Sequence, residues 1–204
     1  MRHCLSFTVI LILSLILFLS SHVYSRTLLI LGDSLSSGYL ISVEKRWSNL
    51  LQEKFDENKI DIQIINASIS GATSNDVLRK LPNLIKKYKP KYILIEIGGN
   101  DGLRGYSPDI IKSNINQLID LSLKSKAYVF LQAIRLPRNY GKKYITAFEK
   151  IYTDFKNVKG VKVIPFFPEA IFLNPELMMS DQIHPNVKAQ PLMANFIFNE
   201  LKKI

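Results

Sequence analysis

The sequence is poor in the side chains that most often carry out chemistry, with one cysteine, Cys4, and three histidines among 204 residues. Cys4, His3 and His22 all fall in the opening stretch, residues 1–25, which has the pattern of a secretory signal peptide. Arg2 and His3 give a short positive start, Leu5 to Leu19 is an apolar run, and Val23-Tyr24-Ser25 ends in a small residue suited to cleavage. An uncleaved anchor is the alternative, since the run counted to Tyr24 approaches the roughly 20 residues that span a bilayer, although Ser6, Thr8, Ser14, Ser20 and Ser21 dilute it. Either way the chain is expected to be exported, to the periplasm or the medium. A domain at 26–204 then has no disulfide, no thiol nucleophile and no thiolate metal ligand. With His184 as its single imidazole, a zinc site of the usual ligand types is excluded too, and no metal or other cofactor is expected.

Acidic residues are also scarce: 17 Asp and Glu stand against 27 Lys and Arg, a formal net charge of +10. Such a balance favours anionic partners only where the cations cluster. Here they are scattered. Lys86, Lys87, Lys89 and Lys91 flank Pro90, Lys142 and Lys143 sit near a helix start, and Lys202 and Lys203 fall in a last turn, where they complement a helix dipole. Without aromatic-basic interleaving, no nucleic-acid partner is expected, and at most transient contact with a membrane surface. Repeats, linkers and low-complexity tracts are missing as well, so the length fits one well-cored domain, read as a monomer.

Apolar runs and helical spacings alternate along that domain. Thr27 to Leu31, Ile60 to Ile65, Tyr92 to Ile97, Ala127 to Gln132 and Val161 to Phe166 read as strands. Between them, helical spacing covers Trp47 to Phe55, Val77 to Tyr88, Ser107 to Lys124 and Tyr144 to Phe155. A final helix runs from Ala189 to Leu201 with Pro191 in its first turn. Pro82 is expected to kink the second helix or to start a new one. Ser107-Pro108-Asp109 is a strong start for the third, a cap residue followed by proline.

Five strands separated by helices predict an α/β fold, a three-layer α/β/α sandwich around a mostly parallel five-stranded sheet of flavodoxin-like type. In such sheets ligands bind outside the carboxyl ends of the strands. Chemically able residues fall at those ends: Ser34 in Gly32-Asp33-Ser34-Leu35 after the first strand, Gly71 after the second, Asn100 in Gly98-Gly99-Asn100-Asp101 after the third, and Asp181 with His184 after the fifth. Each motif alone is ordinary turn chemistry. Their joint placement points to a serine hydrolase, in which His184 takes the proton of a hydroxyl that is otherwise a poor nucleophile and Asp181 orients the imidazole.

In these four blocks the chain resembles the SGNH (GDSL) hydrolase family, and nearest to its multifunctional acyl hydrolases that act as thioesterases, lysophospholipases and arylesterases. The likeness extends through Leu29 to Tyr39, Asn66 to Gly71, Gly98 to Gly105 and Ile134-Arg135-Leu136-Pro137. What it implies is a Ser34–His184–Asp181 triad, with an oxyanion hole formed by the backbone N–H groups of Ser34 and Gly71 and the side-chain amide of Asn100. It further implies an acyl-binding crevice bordered by the loop from Gly102 to Ser107, with Gly99, Leu136, Pro137 and Ile183 binding substrate. Glycines at 102 and 105 would let that loop move. The expected substrates are small acyl esters, thioesters and lysophospholipids. One departure is Ala72, where the resembling enzymes tend to have Asp, so the setting of the Gly71 amide is open. Two other readings stand beside this one: an acetylesterase acting on carbohydrates, and a non-catalytic surface binding module.

Overall fold

The computed structural model describes residues 26–202, and the expected signal segment, 1–25, lies outside the described residues. In chain order the elements are β1 (Thr27–Gly32), α1 (Ser34–Ser37), α2 (Trp47–Glu57), β2 (Gln63–Asn66), α3 (Ser74–Tyr88), β3 (Tyr92–Glu96), α4 (Gly99–Leu103), α5 (Pro108–Lys124), β4 (Tyr128–Gln132), α6 (Lys142–Thr153), β5 (Val161–Ile164), α7 (Glu169–Leu173) and α8 (Gln190–Leu201). Short 3-10 turns occupy Val43–Lys45, Arg138–Tyr140 and Pro175–Leu177.

All five strands are parallel, in the order β2-β1-β3-β4-β5. Because side chains alternate along a strand, β1 sends Leu29 and Leu31 to one face and Leu28 and Ile30 to the other. The first face is covered by α3, α5 and α6 through Val77, Leu81, Ile111, Ile115, Phe148 and Ile151. The second is covered by α2 and α8 through Trp47, Leu51, Phe55, Met193 and Ile197. The result is the α/β three-layer sandwich expected from the alternation of elements.

Strand order reverses direction at β1, since the chain leaves it toward β2 and returns on its other side as β3. Such a switch opens a crevice at the carboxyl ends of the two strands, where ligands bind. Gly32 and Glu96 are ladder partners at that place.

Several boundaries differ from the sequence expectation for identifiable reasons. Ile60 and Ile62 lie outside β2 because their amides bond locally, to Phe55 O and Ile60 O, yet Ile62 is still buried. β5 stops at Ile164 because Pro165 has no N–H to continue the ladder. Pro82 neither ends α3 nor starts a new helix. It stands on the exposed face of the helix. That helix begins with a capping box in which Thr73 and Asp76 each bond the other's backbone N–H.

Candidate active site

The turn that follows β1 is set by close packing. A Cβ on Gly32 would stand 2.7 Å from Ser36 Cβ and 2.8 Å from Glu96 Oε2, so only glycine fits. Asp33 then caps α1, its carboxylate accepting from the Leu35 N–H at 3.1 Å, and Ser34 is the first residue of the short helix. Gly38 ends it in the left-handed region, φ +70°. Neighbouring elements grip the turn by its carbonyls: Trp47 Nε1 donates to Leu35 O at 3.0 Å and Asn66 Nδ2 to Ser36 O at 2.6 Å.

Asp181 and His184 come from the other end of the domain, in the loop between α7 and α8. The loop doubles back on itself, with Met178 bridged to Pro185 and the Met179 N–H donating to His184 O at 2.8 Å. Gln182 takes φ +57° at the tip. Asp181 Oδ1 accepts from the N–H groups of Ile183 and His184 at 2.9 and 3.0 Å, which folds the carboxylate over its own turn. Asn186 fastens the base, donating to Glu176 O and Met178 O.

The two ends meet. His184 Nδ1 lies 2.7 Å from Asp181 Oδ2, and His184 Nε2 lies 2.8 Å from Ser34 Oγ. Partial burial pushes the Asp181 carboxyl up, but the bonds from the His184 ring, from the two backbone amides and the attraction of the imidazole outweigh it, and its pKa falls to about 2. An ionised carboxylate only accepts, so the Nδ1 proton points to Asp181 and Nε2 is left to accept from the serine hydroxyl.

Gly71 sits at φ +77° in a turn closed by the Ala72 N–H on Ile69 O. The carbonyls of that turn are held from outside: Arg104 Nη2 donates to Gly71 O at 3.2 Å, and Asn100 Nδ2 to Ala72 O at 3.1 Å. Asn100 Nδ2 also lies 3.3 Å from Asp33 Oδ2. Among the described residues, neither the Ser34 nor the Gly71 N–H has an acceptor. Asp33 itself is buried, which raises its pKa to about 6 against the opposing effects of the Leu35 amide, His184 and Asn100.

The residues expected to bind substrate are distributed unequally. Ile183 is half exposed, Gly99 is partly exposed and Pro137 lies at the surface, whereas Leu136 is turned into the core. Leu136 packs on Gly102, where a Cβ would come within 2.7 Å of both its methyl groups and 2.9 Å of Phe148. Close packing therefore requires glycine at 102. The segment is also pinned by two phenols, Tyr140 on Leu103 O at 2.8 Å and Tyr144 on Tyr106 O at 2.6 Å. A cleft of about 230 Å³ beside the Gly71 turn has a mixed lining, apolar at Leu31, Ile69, Val77 and Leu84 and charged at Asp76, Arg79 and Lys80.

Motif spacing points to neither of two further contacts in the site. Tyr39 places its ring 4.7 Å from the His184 imidazole. Glu96 accepts from Ser36 Oγ beneath the turn. For Glu96 the sequence does hold a signal, a carboxyl closing the otherwise apolar run Tyr92-Ile93-Leu94-Ile95-Glu96. For Tyr39 no periodicity marks it.

A model of the GDSL-like Lipase/Acylhydrolase family matches residues 30–191. The chain is 44% identical over 195 residues to an arylesterase of Vibrio mimicus, covering 94% of this chain and 98% of the relative. It is 42% identical over 178 residues to "Thioesterase 1/protease 1/lysophospholipase L1" of Escherichia coli, covering 87% and 84% respectively. Among solved structures, the psychrotrophic esterase EstA of a Pseudoalteromonas species superposes with a TM-score of 0.84 at 40% identity, over 88% of this chain and 98% of that one.

Proposed function

The chain belongs to the GDSL-like lipase/acylhydrolase family and is an ester-hydrolysing enzyme, and from that premise we propose that it is an exported serine hydrolase of acyl esters, thioesters and lysophospholipids. The observation that carries the mechanism is the unbroken path from Ser34 Oγ through both ring nitrogens of His184 to the Asp181 carboxylate. In this reading His184 Nε2 accepts the Ser34 proton as Oγ attacks the acyl carbonyl, and Asp181 stabilises the imidazolium that forms. The tetrahedral oxyanion is met by the N–H groups of Ser34 and Gly71 and by Asn100 Nδ2. Each such donor is worth about 3 to 4 kcal/mol in the transition state. Asn100 has two amide hydrogens and two partners, so it gives one up, and its longer bond, to Asp33, is the weaker. His184 then returns the proton to the leaving alcohol or thiol, and water, deprotonated by the same nitrogen, releases the acid from the acyl-enzyme.

The open pair of Ser34 and His184, the exposed Ile183 and the apolar part of the cleft beside the Gly71 turn, formed by Leu31, Ile69, Val77 and Leu84, support an acyl chain as the recognised group. Names of the relatives, an arylesterase and a thioesterase and lysophospholipase, support the same substrate classes. Export rests on the pattern of residues 1–25. The test is a panel of p-nitrophenyl esters from acetate to longer chains, with lysophosphatidylcholine and a fatty-acyl thioester alongside. Turnover that rises from acetate to six carbons or more supports the reading. Preference for acetate, above all on acetylated sugars, overturns it in favour of a carbohydrate acetylesterase, and no turnover leaves a binding module.

A further inference from the structure

Beneath the turn that carries Ser34 lies a carboxyl group with no cation beside it. Glu96 ends β3 opposite Gly32, and its side chain is fully buried. Oε2 accepts from Ser36 Oγ at 2.7 Å, while Oε1 has no partner. Burial above all, and then the neighbouring Asp33 carboxyl, hold its pKa well above the usual carboxylate range, although the Ser36 hydroxyl and the Asp33 N–H favour the ionised form. The groups that face this compartment are Asp33 on the turn, Tyr152 from α6 and Asp101 from α4, with His184 beyond Asp33. Of these only the imidazole is able to carry positive charge. No ion pair among the described residues includes Glu96.

We propose that Glu96 is a positioning residue for the nucleophile, a brace from the end of β3 to Ser36 that fixes the turn presenting Ser34 to His184. The proposal rests on the reading of Ser34 as the nucleophile. Ser36 and Asp33, the two residues Glu96 engages, bracket Ser34 in sequence. The Ser36 carbonyl is already tied to Asn66 and the Leu35 carbonyl to Trp47. Glu96 holds the side chain of Ser36 from β3, on the opposite side of β1 from Asn66. An apolar side chain at this place would leave the Ser36 hydroxyl buried without a partner. Burial and the neighbouring Asp33 carboxyl both disfavour the ionised form of Glu96, and an amide of the same shape keeps an oxygen able to accept from Ser36 Oγ.

The test compares Glu96→Ala, Glu96→Gln and Ser36→Ala with the wild type at neutral pH, measuring kcat and KM on a p-nitrophenyl ester, melting temperature, and the rate of Ser34 labelling by a p-nitrophenyl phosphonate, with the adduct located by mass spectrometry. Glu96→Ala is expected to lose at least tenfold in kcat and in labelling rate with KM within about twofold of wild type. Glu96→Gln is expected to recover most of that loss. Wild-type kcat in Glu96→Ala overturns the proposal, and so does a Glu96→Gln variant as impaired as the alanine. If Glu96→Ala fails to fold, Ser36→Ala decides: a fall in kcat of at least threefold supports the brace and an unchanged kcat overturns it. A phosphonate adduct on any serine but Ser34 ends the reading of the site itself, whatever Glu96 does. An adduct on Ser34 formed at the wild-type rate in Glu96→Ala ends the brace alone.

Discussion

His184 has a partner on each ring nitrogen, so replacing it breaks two contacts at once. Ser34→Ala and His184→Ala should each lower kcat/KM by about 10³-fold or more, and the double variant should be little worse than either, because the residues act as a unit. Ester hydrolysis beside a circular-dichroism melt checks this, with the melting temperature expected to hold. Asp33 gives a prediction in pH. Its pKa is raised from 3.8 to about 6 in the folded chain, so across that window the folded state keeps a proton that the unfolded state has lost, and stability falls as pH rises. Relative to Asp33→Asn, which keeps a capping side chain, the wild type should therefore lose melting temperature between about pH 4 and about pH 6.5. Asp181 acts in the opposite sense: with its pKa lowered to about 2, its contribution is present at neutral pH and is lost as acid protonates it. At this scale Ser34 and Asn100 stand out in the sequence as polar residues just after apolar strand runs, whereas His184, past α7, stands out as the single histidine of 26–204, with Asp181 three positions before it. Tyr39 does not, since a ring packed across 145 positions of chain on His184 leaves no trace in local spacing.

Among the elements, the loop after β3 shows best what close packing requires. Gly102→Ala would drive a methyl against Leu136 and Phe148, and overpacking of this kind costs about 1–3 kcal/mol. Urea denaturation should show that loss, with part of it restored by pairing the change with Leu136→Val. At the start of α3, Thr73→Ala removes one half of the capping box and should cost about 1 kcal/mol in the same assay. Element types were legible in the periodicity because β1, β3 and β4, buried inside the parallel sheet, leave nearly continuous apolar runs. Their ends were less so. Ile60 extends the apolar pattern of β2 while its amide is used in a local turn, and hydrophobicity carries no information about where an N–H points. The short α1, α4 and α7 fall below the length at which a helical period is detectable.

For the whole molecule, the strand order places the site. With β1 between β2 and β3, the serine turn and the Gly98-Gly99-Asn100-Asp101 loop open on one crevice, which composition and charge do not foretell. Parallel pairing was predictable from the long crossovers, which leave the order of the strands open; it is the expected flavodoxin-like type that carries the order β2-β1-β3-β4-β5. Activity should decline little with added salt, because the scattered lysines build no steering field; a steep fall in kcat/KM on neutral esters between low and physiological ionic strength would contradict this.

Ser34 and His184 touch across 150 positions of sequence. In the proposed mechanism, a chain cut short anywhere before Asp181 carries the serine without the groups that would activate it, so hydrolysis would begin only once the last loop has been made and has docked.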